Sequence, residues 1–252
     1  MALVELEVRA GGVCLATLND PERRNPMGDE MGAQLIAVCS AVAADPEARV
    51  LVLTGAGRAF CAGADLPQLF GPAAQAPVTE THARLQSYYR PFFAMRDLAI
   101  PTVAAVNGAA IGAGLNLAMA CDVRVAGAGA TFGATFTRIG LHPGGGCTWF
   151  LVQAIGASRA LRVLLLGEPL DAAQAVAWGL ADGPAEDALA AALELAAGFA
   201  GVDPALARHV KKAVDIAART GDLGATLEYE SWAQAASATS PQLHDWVARF
   251  RT

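Results

Sequence analysis

Two short loops built almost wholly from small residues hold most of the chemical promise of this chain: Phe60-Cys61-Ala62-Gly63-Ala64-Asp65 and Asn107-Gly108-Ala109-Ala110-Ile111-Gly112-Ala113-Gly114-Leu115. Each follows an apolar run of buried-strand length, Val50 to Thr54 and Thr102 to Val106, and each leads toward a helix. A loop of this kind exposes backbone N–H groups beside the positive end of a helix. Two of them side by side suit a carbonyl oxygen that becomes negative during reaction. Singly, either one is equally an ordinary glycine turn.

Other chemistries are poorly supplied. His82, His142, His209 and His244 show no HxxxH or HExxH spacing, so no metal site is expected. The five cysteines, Cys14, Cys39, Cys61, Cys121 and Cys147, form no CxxC pair and read as reduced thiols of a cytoplasmic protein. Gly55-Ala56-Gly57-Arg58-Ala59-Phe60 lacks the third glycine of a dinucleotide loop. Gly156-Ala157-Ser158-Arg159-Ala160 fails as a nucleophile elbow, and Ser158 reads instead as a helix cap. A net charge of -6 opposes binding to nucleic acid or to an anionic membrane, which both need basic surface.

The elements that must position the loops follow from the apolar pattern. Leu3 to Arg9 and Val13 to Leu18 flank Gly11-Gly12 as a hairpin, and the acidic–apolar alternation from Met1 gives no expectation of export. Met27 to Ala44 has helical spacing, Thr79 to Leu98 is a predicted helix, and Val123 to Ala126 is a third buried strand. Leu98 to Cys121 holds no charge and is long enough to span a bilayer, but its prolines, glycines and asparagines make it a strand, a turn and a short helix. From Pro143 onward the pattern is helical: Gly145 to Ile155, Ser158 to Leu166, Ala172 to Trp178, Glu186 to Ala200, Pro204 to Arg219 and Thr226 to Ala236. With 252 residues, 54% of them hydrophobic, the chain has ample core for an α/β domain with a helical appendage.

Asp20-Pro21-Glu22-Arg23-Arg24-Asn25, Phe60 to Leu66, Asn107 to Asp122 and Phe132 to Gly146, in that order and followed by a helical end, closely resemble the crotonase superfamily, the enoyl-CoA hydratase/isomerase family. The likeness runs over most of the sequence. It implies an α/β fold, a crotonase-like spiral of ββα units over residues 1–195, with a C-terminal helical trimerisation region over 196–252. The assembly it implies is a homotrimer or a hexamer formed as a dimer of trimers. An acyl-CoA thioester would be substrate or ligand, with no further cofactor. By position, the resemblance makes the backbone N–H groups of Ala64 and Ala113 the oxyanion-hole donors. It also sets Arg23 and Arg24 near the coenzyme A phosphates, and Ala62, Ala64, Asp65 and Leu66 around the adenine.

The resemblance also exposes two departures. Where the family carries the two glutamates that add water across an enoyl thioester, this chain has Asn116 and Phe136. Asparagine orients a water but cannot take its proton, and phenylalanine only fills volume. Classical hydration is therefore not expected. Gly144 stands where some relatives carry an aspartate used in dehalogenation or diene isomerisation, and His142 in Gly140-Leu141-His142-Pro143-Gly144-Gly145-Gly146 is the nearest titratable replacement. His82 is a weaker one; Asp65 reads as a helix cap, Asp122 as a structural partner, and Cys61 and Cys147 lack a basic neighbour that would activate a thiolate. The readings are an enzyme working through a thioester enolate, a non-catalytic acyl-CoA binder or carrier, and a purely structural subunit.

Overall fold

A long strand paired with a short one, then a helix, is the pattern that builds the first of two compact units, Met1–Gly201. The computed structural model describes residues 2–71 and 76–249. Strands β1 (Val4–Val8) and β2 (Val13–Leu18) form the antiparallel hairpin, with Val8 opposite Cys14. Helix α1 (Asp29–Ala44) then returns the chain so that β3 (Val50–Gly55) lies parallel to β2. The repeat follows: β3 with β4 (Ala59–Cys61), β5 (Thr102–Val106) with β6 (Ala109–Ile111), and β7 (Val123–Gly127) with β8 (Thr131–Gly133). In each pair the first strand joins a six-stranded sheet, ordered β1-β2-β3-β5-β7-β10, and the second a four-stranded sheet, ordered β4-β6-β8-β9. The expected spiral of ββα units is thus the observed one.

Strands β3 and β5 are buried along their whole length, as parallel strands covered on both faces must be. Val103 and Ala105 point to one face and Ala104 and Val106 to the other, the period-two alternation of a strand. On the first face lies α8 (Ala188–Ala200), whose Ala188, Ala192 and Ala196, spaced by one helical turn, let the helix sit close to the sheet. Against the other face pack Phe60 and Leu115, from the elements that carry the two small-residue loops, together with Phe92.

Several expectations change. The helix predicted over Thr79 to Leu98 is two, α3 (Val78–Tyr88) and α4 (Arg90–Arg96), parted at Tyr89 because Pro91 cannot donate the next helical hydrogen bond. The chain beyond Pro143 is not helical throughout: β9 (Leu170–Asp171) and β10 (Asp182–Ala185) close the two sheets. Asp182-Gly183-Pro184-Ala185 has no apolar alternation to announce a strand, and its pairing with β7 is irregular. Helices α6 (Cys147–Leu166) and α7 (Ala172–Ala177) separate these strands from the spiral, and Gly156 (φ 77°, ψ 161°) breaks α6 between the two helices read from sequence. By length and composition α6 is apolar enough to cross a membrane. The chain divides between Gly201 and Val202, whereas a boundary at 195/196 would cut α8 in the middle of its sheet-covering face.

The second unit, Val202–Thr252, holds α9 (Pro204–Thr220), α10 (Leu223–Ser237) and α11 (Pro241–Arg249). Asp203 and Asp222 cap the first two, accepting from the N–H groups of Leu206 and of Gly224 and Ala225. The Tyr229 hydroxyl lies 2.9 Å from His209 Nδ1, joining α9 to α10.

Candidate active site

Parallel pairing of β4 with β6, Ala59 opposite Ala109 and Cys61 opposite Ala110, makes both strands end at the same edge of the small sheet. Their chains therefore leave side by side, Ala62-Gly63-Ala64 next to Gly112-Ala113, with Ala113 opening α5 (Ala113–Ala120). Glycine permits the approach. A Cβ on Gly63 would sit 3.2 Å from the Ile111 carbonyl oxygen, and one on Gly114 would collide with the carbonyl of Cys61. Gly112 turns the chain at φ 54°, a value that L side chains disfavour.

Both loops line one cavity of about 130 Å³, which includes Ala64, Ala113, Asn116, Phe136, His142 and Gly144. Met27 bridges to Ala64 by donating to the Gly63 carbonyl at 2.8 Å and accepting from the Asp65 N–H at 3.1 Å. In a parallel bridge those bonds go to the flanking residues, so the N–H of Ala64 faces away from Met27. Ala113 stands at the first helical position, where an N–H has no intrahelical acceptor. Among the described residues neither group serves a turn or loop hydrogen bond. Two unspent backbone donors on adjacent loops can hold one anionic oxygen.

The segment before α1 fixes the first loop from behind. Arg24 and Asn25 adopt left-handed backbone at φ 64° and 56°, and the Arg24 carbonyl accepts from the Ala62 N–H at 2.9 Å. Asn25 is wholly buried: its Oδ1 accepts from the Asp20 N–H, and its Nδ2 donates to the carbonyls of Ala56, Ala59 and Phe60. The Arg23 guanidinium is exposed, 2.7 Å from Asp65 and 3.6 Å from Asp20. Its hydrogen bond holds the Asp65 carboxyl below the usual range, and Asp65 also caps α2 (Leu66–Phe70) through the Gln68 N–H. Arg24 is exposed, and Leu66 reaches the cavity wall.

No aspartate or glutamate lines the cavity among the described residues. Asn116 is 2% exposed; its Nδ2 donates to the Gly144 carbonyl at 2.8 Å, and its Oδ1 has no partner. Phe136, in a 3-10 turn spanning Thr135–Ile139, contributes a partly buried ring. His142 lines the cavity but is exposed, with Nδ1 2.7 Å from the carbonyl of Pro143 in its own loop. His82 is exposed on α3 and is not part of the lining. Burial pushes the thiols of Cys61 and Cys147 up to about 11 and about 12, away from nucleophilic use. Asp122 accepts from the N–H and hydroxyl of buried Thr102 at 2.8 and 2.9 Å, the structural role read from sequence. Two residues were not read from sequence as site groups: Asn25, whose Nδ2 bonds are all to distant carbonyls, and Tyr89, whose ring enters the cavity wall beside Gly144.

Comparison with known proteins bears on this geometry. Residues 8–244 match the model of the Enoyl-CoA hydratase/isomerase family. A Mycobacterium tuberculosis protein named Probable enoyl-CoA hydratase EchA14 is 53% identical over 186 residues, covering 74% of this chain and 71% of that protein. The 1,2-epoxyphenylacetyl-CoA isomerase of Escherichia coli is 36% identical over 242 residues, 95% of this chain and 92% of that one. The crystal structure of an enoyl-CoA hydratase from Polaromonas sp. JS666 superposes with a TM-score of 0.88 at 31% identity, covering 98% of this chain and 96% of that one.

Proposed function

Because the chain belongs to the enoyl-CoA hydratase/isomerase family, we propose that it binds an acyl-CoA thioester with the carbonyl oxygen between the N–H groups of Ala64 and Ala113, and rearranges it through an enolate-like intermediate. One observation carries this reading: among the described residues, two backbone donors that serve no turn or loop hydrogen bond flank a cavity lined by no carboxylate. A backbone donor aimed at an oxyanion is worth about 10²- to 10³-fold in rate, and a positioned acid or base about 10²- to 10⁴-fold. The site keeps the first contribution and lacks the second from Asn116 and Phe136. Isomerisation must take a proton from carbon and return it, which His142, the imidazole on the cavity lining among the described residues, can carry, whereas hydration must also activate a water. Likeness to an enzyme named as an isomerase of an acyl-CoA supports the same choice. Arg23 and Arg24 are the cations at hand for the coenzyme A phosphates, Arg23 with its charge already shared between Asp20 and Asp65. Ala62, Ala64, Asp65 and Leu66 would border the adenine.

A second reading, an acyl-CoA binder or carrier without turnover, is favoured by the same carboxylate-free lining, because Asn116 and Phe136 hold a ligand without consuming it. Calorimetry with a panel of enoyl- and acyl-CoA esters, read alongside product by mass spectrometry, separates the readings. Binding with isomerised product supports the enzyme, binding without product supports the carrier, and no binding refutes both. His142→Ala belongs in the same panel: lost turnover supports His142 as proton carrier and unchanged turnover removes it, the bond of its Nδ1 to the Pro143 carbonyl leaving Nε2 as the accepting nitrogen. We further propose a cytoplasmic homotrimer or dimer of trimers. Leu206, Val210 and Val214, spaced by four on α9 and all exposed, supply an apolar stripe for such a contact, and light scattering of the purified chain tests it.

A further inference from the structure

The cavity wall holds few polar side-chain atoms, and their partners sort them. Tyr88 spends its hydroxyl on the Met27 carbonyl at 3.0 Å. Asn116 has turned its Nδ2 to Gly144, and His142 leans on its own loop. Tyr89 differs. Its phenol oxygen lies where a side chain at position 144 would begin, 2.5 Å from the place a Cβ on Gly144 would take, so a side chain at 144 would displace the ring. The Gly145 N–H lies beside the oxygen, and among the described residues no acceptor takes the O–H, which is left to donate. Neighbouring rings hold it in place: Phe92 is stacked at 6.4 Å between centroids, and Tyr88 meets it edge-on at 6.2 Å. Burial raises its pKa above the ordinary tyrosine value, so the proton stays on through the neutral range.

We infer that Tyr89 presents a hydroxyl donor to the acyl group, and that the acyl chain taken up by this site carries an acceptor oxygen beyond its thioester carbonyl. The inference rests on the acyl-CoA reading above. A donor fixed in a mostly apolar wall discriminates, because a ligand lacking the acceptor leaves that donor without a partner. The group recognised is an oxygen that accepts, whether ether, epoxide, ketone or hydroxyl. Tyr89 therefore sets specificity, a role no residue spacing in the chain announces.

The test uses the full-length protein and acyl-CoA thioesters of one length in which an ether oxygen replaces a single methylene at successive positions, with the all-carbon thioester as reference. An ether accepts but cannot donate, so it isolates the Tyr89 contribution. In Tyr89→Phe the affinity for one ether isomer, relative to the reference, should fall about 2- to 12-fold, the span of one net hydrogen bond. Affinity for the reference itself should hold or rise, because phenylalanine leaves no donor unpaired. Gly144→Ala, which keeps the hydroxyl but displaces it, should lose the same discrimination. A ratio unchanged at every ether position in both variants, or an equal loss for the all-carbon thioester, overturns the inference while leaving acyl-CoA binding standing. Failure of the native chain to bind any thioester, the all-carbon reference included, overturns both.

Discussion

Asn25 and Asn116 are the two buried asparagines among the described residues, and the model of the site demands that they behave oppositely when removed. Asn25 has every polar atom engaged: one N–H is accepted, and two amide hydrogens are shared among three carbonyls. Truncation in Asn25→Ala deletes roughly three hydrogen bonds at about 1 kcal/mol each. It also places alanine at φ 56°, a left-handed conformation that costs about 1 kcal/mol more. The sum, about 4 kcal/mol, is a large share of a domain's stability. Asn116 is half-engaged, with Nδ2 bonded to Gly144 and Oδ1 alone. In Asn116→Leu, of similar volume, the orphaned Gly144 carbonyl costs about 1–3 kcal/mol, and loss of the unpartnered Oδ1 returns a similar amount, so the net change stays within about 1 kcal/mol. Urea unfolding of the two variants beside the native chain reads both numbers. With a slope of about 2–3 kcal/mol/M, the Asn25→Ala midpoint should fall by about 1.3–2 M and that of Asn116→Leu by less than about 0.5 M. The order of the two decides. If Asn116→Leu unfolds as early as Asn25→Ala, Asn116 is a structural strut and its place in the cavity is incidental. A stable Asn116→Leu with altered thioester affinity marks a residue kept for the ligand.

Two more expectations follow from buried groups. Asp122→Ala strips the N–H and hydroxyl of Thr102 of a charged acceptor. Thermal or urea unfolding should show a loss of about 3 kcal/mol, most of it restored in Asp122→Asn, and a loss under about 1 kcal/mol would refute the bond's role. Cys61 and Cys147 have folded-state thiols raised by burial to about 11 and about 12, so alkylation of the native protein should be slow at neutral pH and rise only as the pH approaches those values. Labelling followed by peptide mass spectrometry checks this, and ready modification of either thiol at pH 7 would contradict the burial.

Much of the scaffold could be read from the chain. The long strands β3 and β5 announce themselves as apolar runs, β7 as a shorter one interrupted by Arg124, and α1 and α9 by helical spacing. Their partners do not: β4, β6 and β8 are three residues each and lie inside what reads as loop. Such short strands exist because a neighbouring turn of the spiral offers them an edge, which no local window contains. The same reason hides β10, where Gly183-Pro184 reads as a turn and tertiary pairing overrides it. At the site, loop composition pointed to backbone donors, and the resemblance assigned them to Ala64 and Ala113. The strand pairing that sets the loops abreast came only with the fold. Asn25 stands inside a quoted motif, yet its work lies in carbonyls more than thirty positions away.

Tyr89 is the sharper case, because its place depends on an absence elsewhere. The ring holds its position because residue 144 has no side chain to displace it, and the Asn116 amide because residue 145 has none: a Cβ there would lie 2.5 Å from Nδ2. Gly145 is also held at φ 67°, which independently favours glycine. One peptide unit thereby receives both contacts, its carbonyl taking the Asn116 amide and its N–H meeting the Tyr89 phenol. Read singly, Asn116, Phe136 and Gly144 look like three losses from an acid–base site. In the fold, Gly144 and Asn116 belong with Tyr89 and Gly145 to one fitted arrangement, in which a carboxylate at 116 would have to abandon Gly144 and sit charged in a place only 2% exposed. Gly144, Gly145, Asn116 and Tyr89 are therefore coupled through packing, and among the described residues the cavity they border is lined by no carboxylate.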